Sequence, residues 1–340
     1  MEQVQLTLAE ARSLAEKCLA ANGCDQANAE AIANVMILAE RDACTSHGLF
    51  RLPGYVSALR DGRANGRADP KIERSAPGVI RIDCDLGYAP LALARGRQPL
   101  IEAAGENGIA ALALVRTFHL AALWPEVEAL AEAGMVALAV TSSRALVAPV
   151  GGTRPMFGTN PMAFGWPRPD GPPMVFDQAV SVMARGEVQL AARDGHDLPP
   201  GVALDAAGNP TTDARDAVDG VLLPFGGHKG SAIGLMIELL AAGLLGENFA
   251  FETSAQFADD GGPGRGGELI IAMDPARFGD AAGWQAHAEG FFARMTAEDG
   301  VRLPGQRRHA AQAKTTNEGF AIPAALHETI LSLTADTGGA

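Results

Sequence analysis

The chain contains two uninterrupted apolar runs, residues 109–115 and 135–140, each preceded by a helix-like segment that a glycine closes. A run with no polar residue at alternate positions reads as a strand buried on both faces. The helix signals over 90–107 stop at Gly108 and those over 123–132 stop at Gly134. Glycine takes the conformation that ends a helix without steric cost. The middle of the chain therefore alternates strand and helix, which predicts an α/β arrangement with helices packed over a sheet. Residues 79–83 alternate as a further strand, and 269–273 read as another.

Helices dominate the two ends. Thr7 with Glu10 makes a capping box, and the helix runs to about Ala21, where Asn22-Gly23 stops it. A second helix over 26–40 carries Ile32, Val35, Met36 and Ala39 on one stripe, a core face. Pro53 opens a short helix, and 61–70 read as a loop. Residues 142–224 are Gly- and Pro-rich loops with short strands such as 174–176. Helices follow at 231–245 and 281–295, and a last one starts near Pro323. Residues 259–267 read as a loose, mobile glycine-rich loop and 334–340 as a frayed tail. A length of 340 residues predicts two or more packed lobes.

Charge narrows the partners. The formal net charge is −13 and aromatics are 5%. An acidic chain repels phosphate backbones and anionic lipid, and few aromatics leave no stacking platform, so nucleic acid and membrane are not expected partners. The N-terminus shows no signal peptide and no apolar run is long enough to span a bilayer, so a cytoplasmic protein is expected. Cys18, Cys24, Cys44 and Cys84 have no C-x-x-C spacing and read as reduced thiols. No His/Asp/Glu cluster has ligand spacing, so no metal is expected.

Five segments place polar residues in apolar or glycine-rich surroundings. Ser46-His47-Gly48-Leu49-Phe50-Arg51 joins a hydroxyl, a proton-moving imidazole and a guanidinium that can hold a carboxylate through two hydrogen bonds. Thr117-Phe118-His119-Leu120-Ala121-Ala122-Leu123-Trp124 falls where a strand meets a helix, whose open N–H groups suit an anion. Gly158-Thr159-Asn160-Pro161 is a tight turn. Asp177-Gln178-Ala179 precedes Arg185-Gly186-Glu187-Val188. Gly226-Gly227-His228-Lys229-Gly230 leads into an apolar helix whose N-terminus suits a phosphate. No G-x-G-x-x-G follows the first strand and there is no P-loop lysine, so a bound dinucleotide is not held by the common fingerprint.

In this order, and with Asp205-x-x-Gly208-x-Pro210-Thr211-Thr212-Asp213, these segments resemble the malate/L-lactate dehydrogenase-like oxidoreductases over about residues 5–330. The resemblance implies a non-Rossmann α/β (α+β) fold: a large mixed sheet with flanking helices and a helical lobe formed by both termini. It divides the chain into 1–75 with 300–340, carrying the catalytic histidine, and 76–299, binding the cofactor. The closest resemblance is to Δ1-piperideine-2-carboxylate/Δ1-pyrroline-2-carboxylate reductases. His119-Leu120-Ala121-Ala122-Leu123-Trp124 is similar to their His-Phe-Ala-Ala-Leu-Trp wording. Glu187 stands where they carry an acidic residue and hydroxy-acid dehydrogenases carry lysine.

The implied chemistry is hydride transfer to a cyclic ketimine acid, with Ser46, His47 and Glu187 catalytic and Arg51 and Thr159 holding the substrate. Glu187 is expected to raise the pKa of His47 and favour imidazolium. Cofactor contacts are implied at His119, Leu120, Ala121, Ala122 and Leu123, at Asp177, Gln178 and Ala179, at His228 and Lys229, and at Pro304, Gly305, Arg307 and Arg308. The last two arginines suit a 2′-phosphate, so NADPH is expected ahead of NADH. A homodimer is implied. The alternatives are a 2-hydroxy-acid (malate, lactate or ureidoglycolate) dehydrogenase of the same family and a silent binding homologue.

Overall fold

The structure, a computed structural model, describes residues 2–142, 144–256 and 262–336. Its strands are β1 (Gln3–Leu6), β2 (Lys71–Ala76), β3 (Val79–Asp83), β4 (Ile109–His119), β5 (Val136–Thr141), β6 (Met162–Trp166), β7 (Met174–Gln178), β8 (Ala203–Leu204), β9 (Pro210–Thr211), β10 (Val221–Leu222), β11 (Gly264–Met273) and β12 (Phe320–Pro323). Its α-helices are α1 (Leu8–Ala21), α2 (Gln26–Arg41), α3 (Leu52–Arg60), α4 (Ala89–Asn107), α5 (Trp124–Glu132), α6 (Arg185–Asp194), α7 (Ala214–Asp219), α8 (His228–Glu238), α9 (Ala250–Gln256), α10 (Trp284–Thr296), α11 (Gln306–Glu318) and α12 (Ala324–Ala335).

A seven-stranded sheet runs in the order β2-β3-β4-β11-β5-β6-β7. Only β3 and β4 pair in parallel; the other neighbours are antiparallel. This mixed sheet, not a doubly wound one, is the non-Rossmann arrangement expected. Its central strands read as continuous apolar runs because both faces are covered. Leu112, Leu114, Ile270 and Ala272 pack with Leu100 of α4 and Val127 of α5. Ala113, Val140 and Leu269 pack on the other side with Ile237 and Ala241. The terminal lobe closes separately: β1 pairs with β12, and α1, α2, α3 and α12 share a core with Tyr88 and Phe118.

Several expectations change. β2 is an exposed edge strand paired with β3, so the sheet begins before the expected boundary at residue 75. The glycine-rich stretch expected to be a loop is strand from Gly264 onward; its first residues, 259–261, lie outside the described residues. Of the tail, Thr334 and Ala335 are helical and 337–340 lie outside the described residues. The apolar helix begins at His228, not Ser231, and winds as a π-helix over Leu239–Gly243. No helix among the described residues is long and apolar enough to cross a membrane.

The strand expected over 109–115 runs on to His119 through a bulge. Gly266 pairs with Thr117 but Glu268 pairs with Leu114, so β4 carries one extra residue. Arg116 takes it up at φ 54, the left-handed region. Its N–H donates to Glu247 Oε1 at 2.7 Å and its guanidinium pairs with Asp83 at 3.0 Å. These contacts offset a strain of about 1–3 kcal/mol. The bulge shifts the alternation, so Thr117 and His119 share the face of Leu112, Leu114 and Glu268.

Gly165 of β6 crosses α5 so closely that a Cβ there would meet the Val127 carbonyl oxygen. Gly165→Ala is expected to lower stability by about 1–3 kcal/mol through overpacking. Chemical denaturation checks this, and an unchanged midpoint would mean that α5 moves aside freely.

Candidate active site

The chain turns sharply after α2. Two short 3-10 turns, Thr45–His47 and Leu49–Arg51, meet at Gly48. The backbone there cannot continue as a helix, so its polar groups need other partners. Buried Glu40 supplies one: its Oε1 accepts the Leu49 N–H at 2.7 Å. A Cβ at Gly48 would collide with that carboxyl group. Burial raises the Glu40 pKa to about 7 against the lowering effect of this hydrogen bond.

The turns aim three side chains into one cavity. Ser46 Oγ lies 3.0 Å from His47 Nδ1. Arg51 is 9% exposed, and its Nε donates to the Ser46 carbonyl at 2.7 Å. Its Nη1 reaches Gln189 Oε1 at 3.4 Å. Gly186, at the start of α6, makes room: a Cβ there would lie 2.7 Å from Arg51 Nη2. Burial, then the positive charges of Arg51 and His119, push the His47 pKa down to about 3. The ring is therefore neutral at working pH. The expected rise from an acidic Glu187 is not found. Glu187 lines the same cavity, but its Oε2 accepts the Ala184 N–H at 3.3 Å and caps α6.

Thr159 reaches the cavity from the Gly158–Pro161 turn, which Glu238 of α8 holds from behind. Glu238 Oε1 accepts from Gly158 N at 3.1 Å and from Asn160 Nδ2 at 2.9 Å. Asn160 sits at φ 41, which asparagine tolerates better than most side chains. Asp177 of β7 takes the N–H groups that sequence reading left open for an anion: Leu123 N and Trp124 N donate to its Oδ2 at 2.8 and 3.0 Å. The start of α5 is thus occupied by an internal carboxylate, whose pKa burial raises despite those bonds.

The cavity measures about 890 Å³, within the roughly 300–1,000 Å³ of small-molecule and cofactor sites. Ser46, His47, Arg51, His119, Leu120, Ala121, Ala122, Thr159, Asp177, Gln178, Ala179, Glu187, Pro304, Gly305, Arg307 and Arg308 line it together. Leu123 is buried behind the wall. His228 and Lys229 are exposed at the start of α8 and are not brought to the cavity. Sequence reading missed Arg144, Gln189 and Arg302 as lining residues, because isolated polar residues outside a motif read as solvated.

The cavity's charge reverses that of the chain. Arg51, Arg144, Arg185, Arg302, Arg307 and Arg308 line it against Asp42, Asp177 and Glu187, and no lysine does among the described residues. At one end α11 starts at Gly305, φ 88, with Arg308 stacked 4.9 Å from the Trp124 ring centroid and donating to the Val175 carbonyl at 3.1 Å. A side chain at Gly305 would crowd His309 and Arg308. A helix N-terminus with guanidinium groups suits phosphate. A cavity of this volume, lined by several anion-binding groups, suits an anionic cofactor together with a small acid.

Folding stability follows the Glu40 charge. Between about 4.5 and about 7 the folded state holds a proton that the unfolded chain has released, so stability falls as pH rises across that window. Glu40→Gln, which cannot ionise, is expected to flatten this dependence. Denaturation midpoints from pH 4.5 to 7 check it, and an unaltered slope would contradict the assignment.

The family model for malate/L-lactate dehydrogenase matches residues 6–331. A Delta(1)-pyrroline-2-carboxylate reductase of Ancylobacter novellus is 47% identical over 334 residues, covering 98% of each chain. A Delta(1)-pyrroline-2-carboxylate/Delta(1)-piperideine-2-carboxylate reductase of Pseudomonas aeruginosa is 47% identical, covering 97% of this chain and 99% of the other. The crystal structure of a delta1-piperideine-2-carboxylate reductase from Pseudomonas syringae superposes with a TM-score of 0.92 at 40% identity, covering 97% of this chain and 99% of that one.

Proposed function

The chain belongs to the malate/L-lactate dehydrogenase family, and from that premise we propose that it reduces cyclic ketimine acids, Δ1-pyrroline-2-carboxylate and Δ1-piperideine-2-carboxylate, to the cyclic amino acids. Reductases of this family use nicotinamide cofactors; NADPH is the one proposed here, ahead of NADH. The observation that carries the reading is the buried Arg51 guanidinium beside the neutral His47 ring in a cavity large enough for both reactants.

Arg51 clamps the substrate carboxylate. Its Nε is committed to the Ser46 carbonyl, which fixes the plane of the fork and leaves the terminal nitrogens toward the cavity. The neutral His47 ring carries one N–H. With that hydrogen on Nδ1 and donated to Ser46 Oγ, Nε2 is left as an acceptor for the N–H of the protonated ring nitrogen. Thr159 adds a hydroxyl from a turn that Glu238 keeps rigid. When bound, the reduced nicotinamide supplies the hydride, and the protein supplies orientation and electrostatics.

A protonated C=N accepts hydride far better than a neutral one, so carboxylates near the reacting carbon favour imine chemistry. Glu187 provides one through space rather than through His47, and the cavity has no lysine among the described residues to act on an alcohol. This places imine reduction ahead of 2-hydroxy-acid oxidation. Ring size is discriminated weakly, because one methylene is worth about 1–3 kcal/mol. The same reading has the enzyme acting as a cytoplasmic homodimer.

NADPH oxidation with both ketimines, pyruvate and oxaloacetate is the deciding assay. Both ketimines are expected to exceed the 2-oxo acids by about 100-fold or more in kcat/KM; faster turnover of a 2-oxo acid would make this a hydroxy-acid dehydrogenase. Arg51→Lys loses the bidentate clamp and is expected to raise KM about 10–100-fold, matching roughly 1.5–3 kcal/mol for a charged hydrogen bond. For the cofactor, Arg307→Ala is expected to lower kcat/KM with NADPH about tenfold or more while NADH changes little. Equal losses with both would place the 2′-phosphate elsewhere.

A further inference from the structure

The proposed chemistry leaves a buried ionisable cluster unused. His119 of β4 is 5% exposed, Glu126 of α5 is 5% exposed and Glu268 of β11 is fully buried. His119 Nδ1 lies 3.0 Å from Glu268 Oε2. The His119 ring lines the cavity, yet neither of its nitrogens, neither Glu268 oxygen and not Glu126 Oε2 makes a well-directed hydrogen bond among the described residues, so the His119–Glu268 contact is a close ion pair. A carboxylate in the middle strand of a covered sheet costs several kcal/mol unless a cation meets it. In the register of β11, Glu268 takes the face that carries Ile270 and Ala272, an apolar layer. The Arg116 bulge delivers His119 to that face; without the extra residue the ring would stand on the opposite one.

Resting on the ketimine-reductase reading, we propose that Glu268 is a positioning residue that keeps His119 charged and gives the cavity a fixed cation besides the arginines. Two carboxylates beside one imidazole cannot all be ionised without an unpaired buried charge, so one must keep its proton. Glu126 is that one: burial and the Glu268 charge raise its pKa, with Arg97 of α4 opposing. For His119, burial works against the charged form. The Glu268 carboxylate, reinforced by Asp177 of β7, outweighs burial, and the pKa lies above the ordinary value. His47, the other titratable group facing the ring, is pushed down partly by His119 itself. Of the two imidazoles lining one cavity, His119 holds the charge and His47 stays neutral. A buried imidazolium on a ring that lines the cavity attracts an anionic ligand group there through space.

The His119 cation is present at low pH and lost as pH rises through its raised pKa, and removal of the Glu268 charge moves that loss to lower pH.

The test is an imidazole NMR titration of the full-length chain. His119→Asn identifies the His119 signal among the seven histidines. The wild-type ring is expected to stay protonated above the free value of about 6.5, and Glu268→Gln to shift its titration down by about one unit or more. In parallel, the alkaline limb of kcat/KM moves to lower pH in Glu268→Gln, with KM rising more than kcat falls. A wild-type His119 that titrates at or below the free value overturns the proposal, and this arm stands even if Glu268→Gln does not fold. So does a folded Glu268→Gln in which the His119 titration is unmoved. Absence of turnover with every ketimine would instead strike the functional reading and leave the titration result standing.

Discussion

Glu40 sits at the end of α2 with its carboxyl group turned into the protein, where it accepts the Leu49 N–H and fills the space that Gly48 leaves. The seven residues from Thr45 to Arg51 make two short turns and no regular ladder. Their path is set by that one internal acceptor, by the Arg51 bond to the Ser46 carbonyl and by the approach of Gly186. Everything the proposed reaction asks of this lobe hangs on that path. Ser46, His47 and Arg51 lie within six residues, yet a helix there would put His47 and Arg51 on one face and turn Ser46 away from them. An acid that keeps its proton to about pH 7 is the cost of holding the turn dry.

The same device recurs around the cavity. Glu238 binds the back of the Thr159 turn, Asp177 caps the start of α5, Glu247 receives the strained Arg116 and Glu268 faces His119. In each case an internal carboxylate stabilises an irregular piece of backbone or a buried cation. A chain with a formal charge of −13 thereby spends part of its acidity inside and frees arginines to line a site for anions. Net charge disfavours polyanion partners on average, but says nothing about a local cavity with the opposite balance.

The covered strands were legible because burial on both faces leaves only apolar residues, and Gly108 and Gly134 marked where each preceding helix stopped. The capping box at Thr7 and the turns at Ser46 and Thr159 were equally readable. β2 was not: Lys71–Ala76 is exposed throughout and has no apolar alternation. α11 was not, since its Gln-Arg-Arg-His start lacks an apolar stripe and one side of it faces the cavity. The Arg116 bulge leaves no trace in composition, and it reverses which residues face which layer. The site residues came mainly from resemblance, and there the sequence misleads in two places. Lys229, in a glycine-rich phosphate-like turn, lies outside the cavity, and Glu187, read as the partner of His47, caps its own helix. A single acidic residue looks the same in sequence whether it meets solvent, a helix end or an imidazole.

The central claim is that one cavity holds the carboxylate of a planar cyclic imino acid on Arg51 with its ring nitrogen toward His47. A crystal structure of the protein with NADP⁺ and pyrrole-2-carboxylate, a flat ring acid that cannot be reduced as a ketimine, tests it most directly. The account predicts a bidentate carboxylate on Arg51, the ring nitrogen within hydrogen-bond distance of His47 and the dinucleotide phosphates at the Gly305 end. A carboxylate seated on the Arg307–Arg308 end, or a ring turned with its nitrogen away from His47, would contradict it.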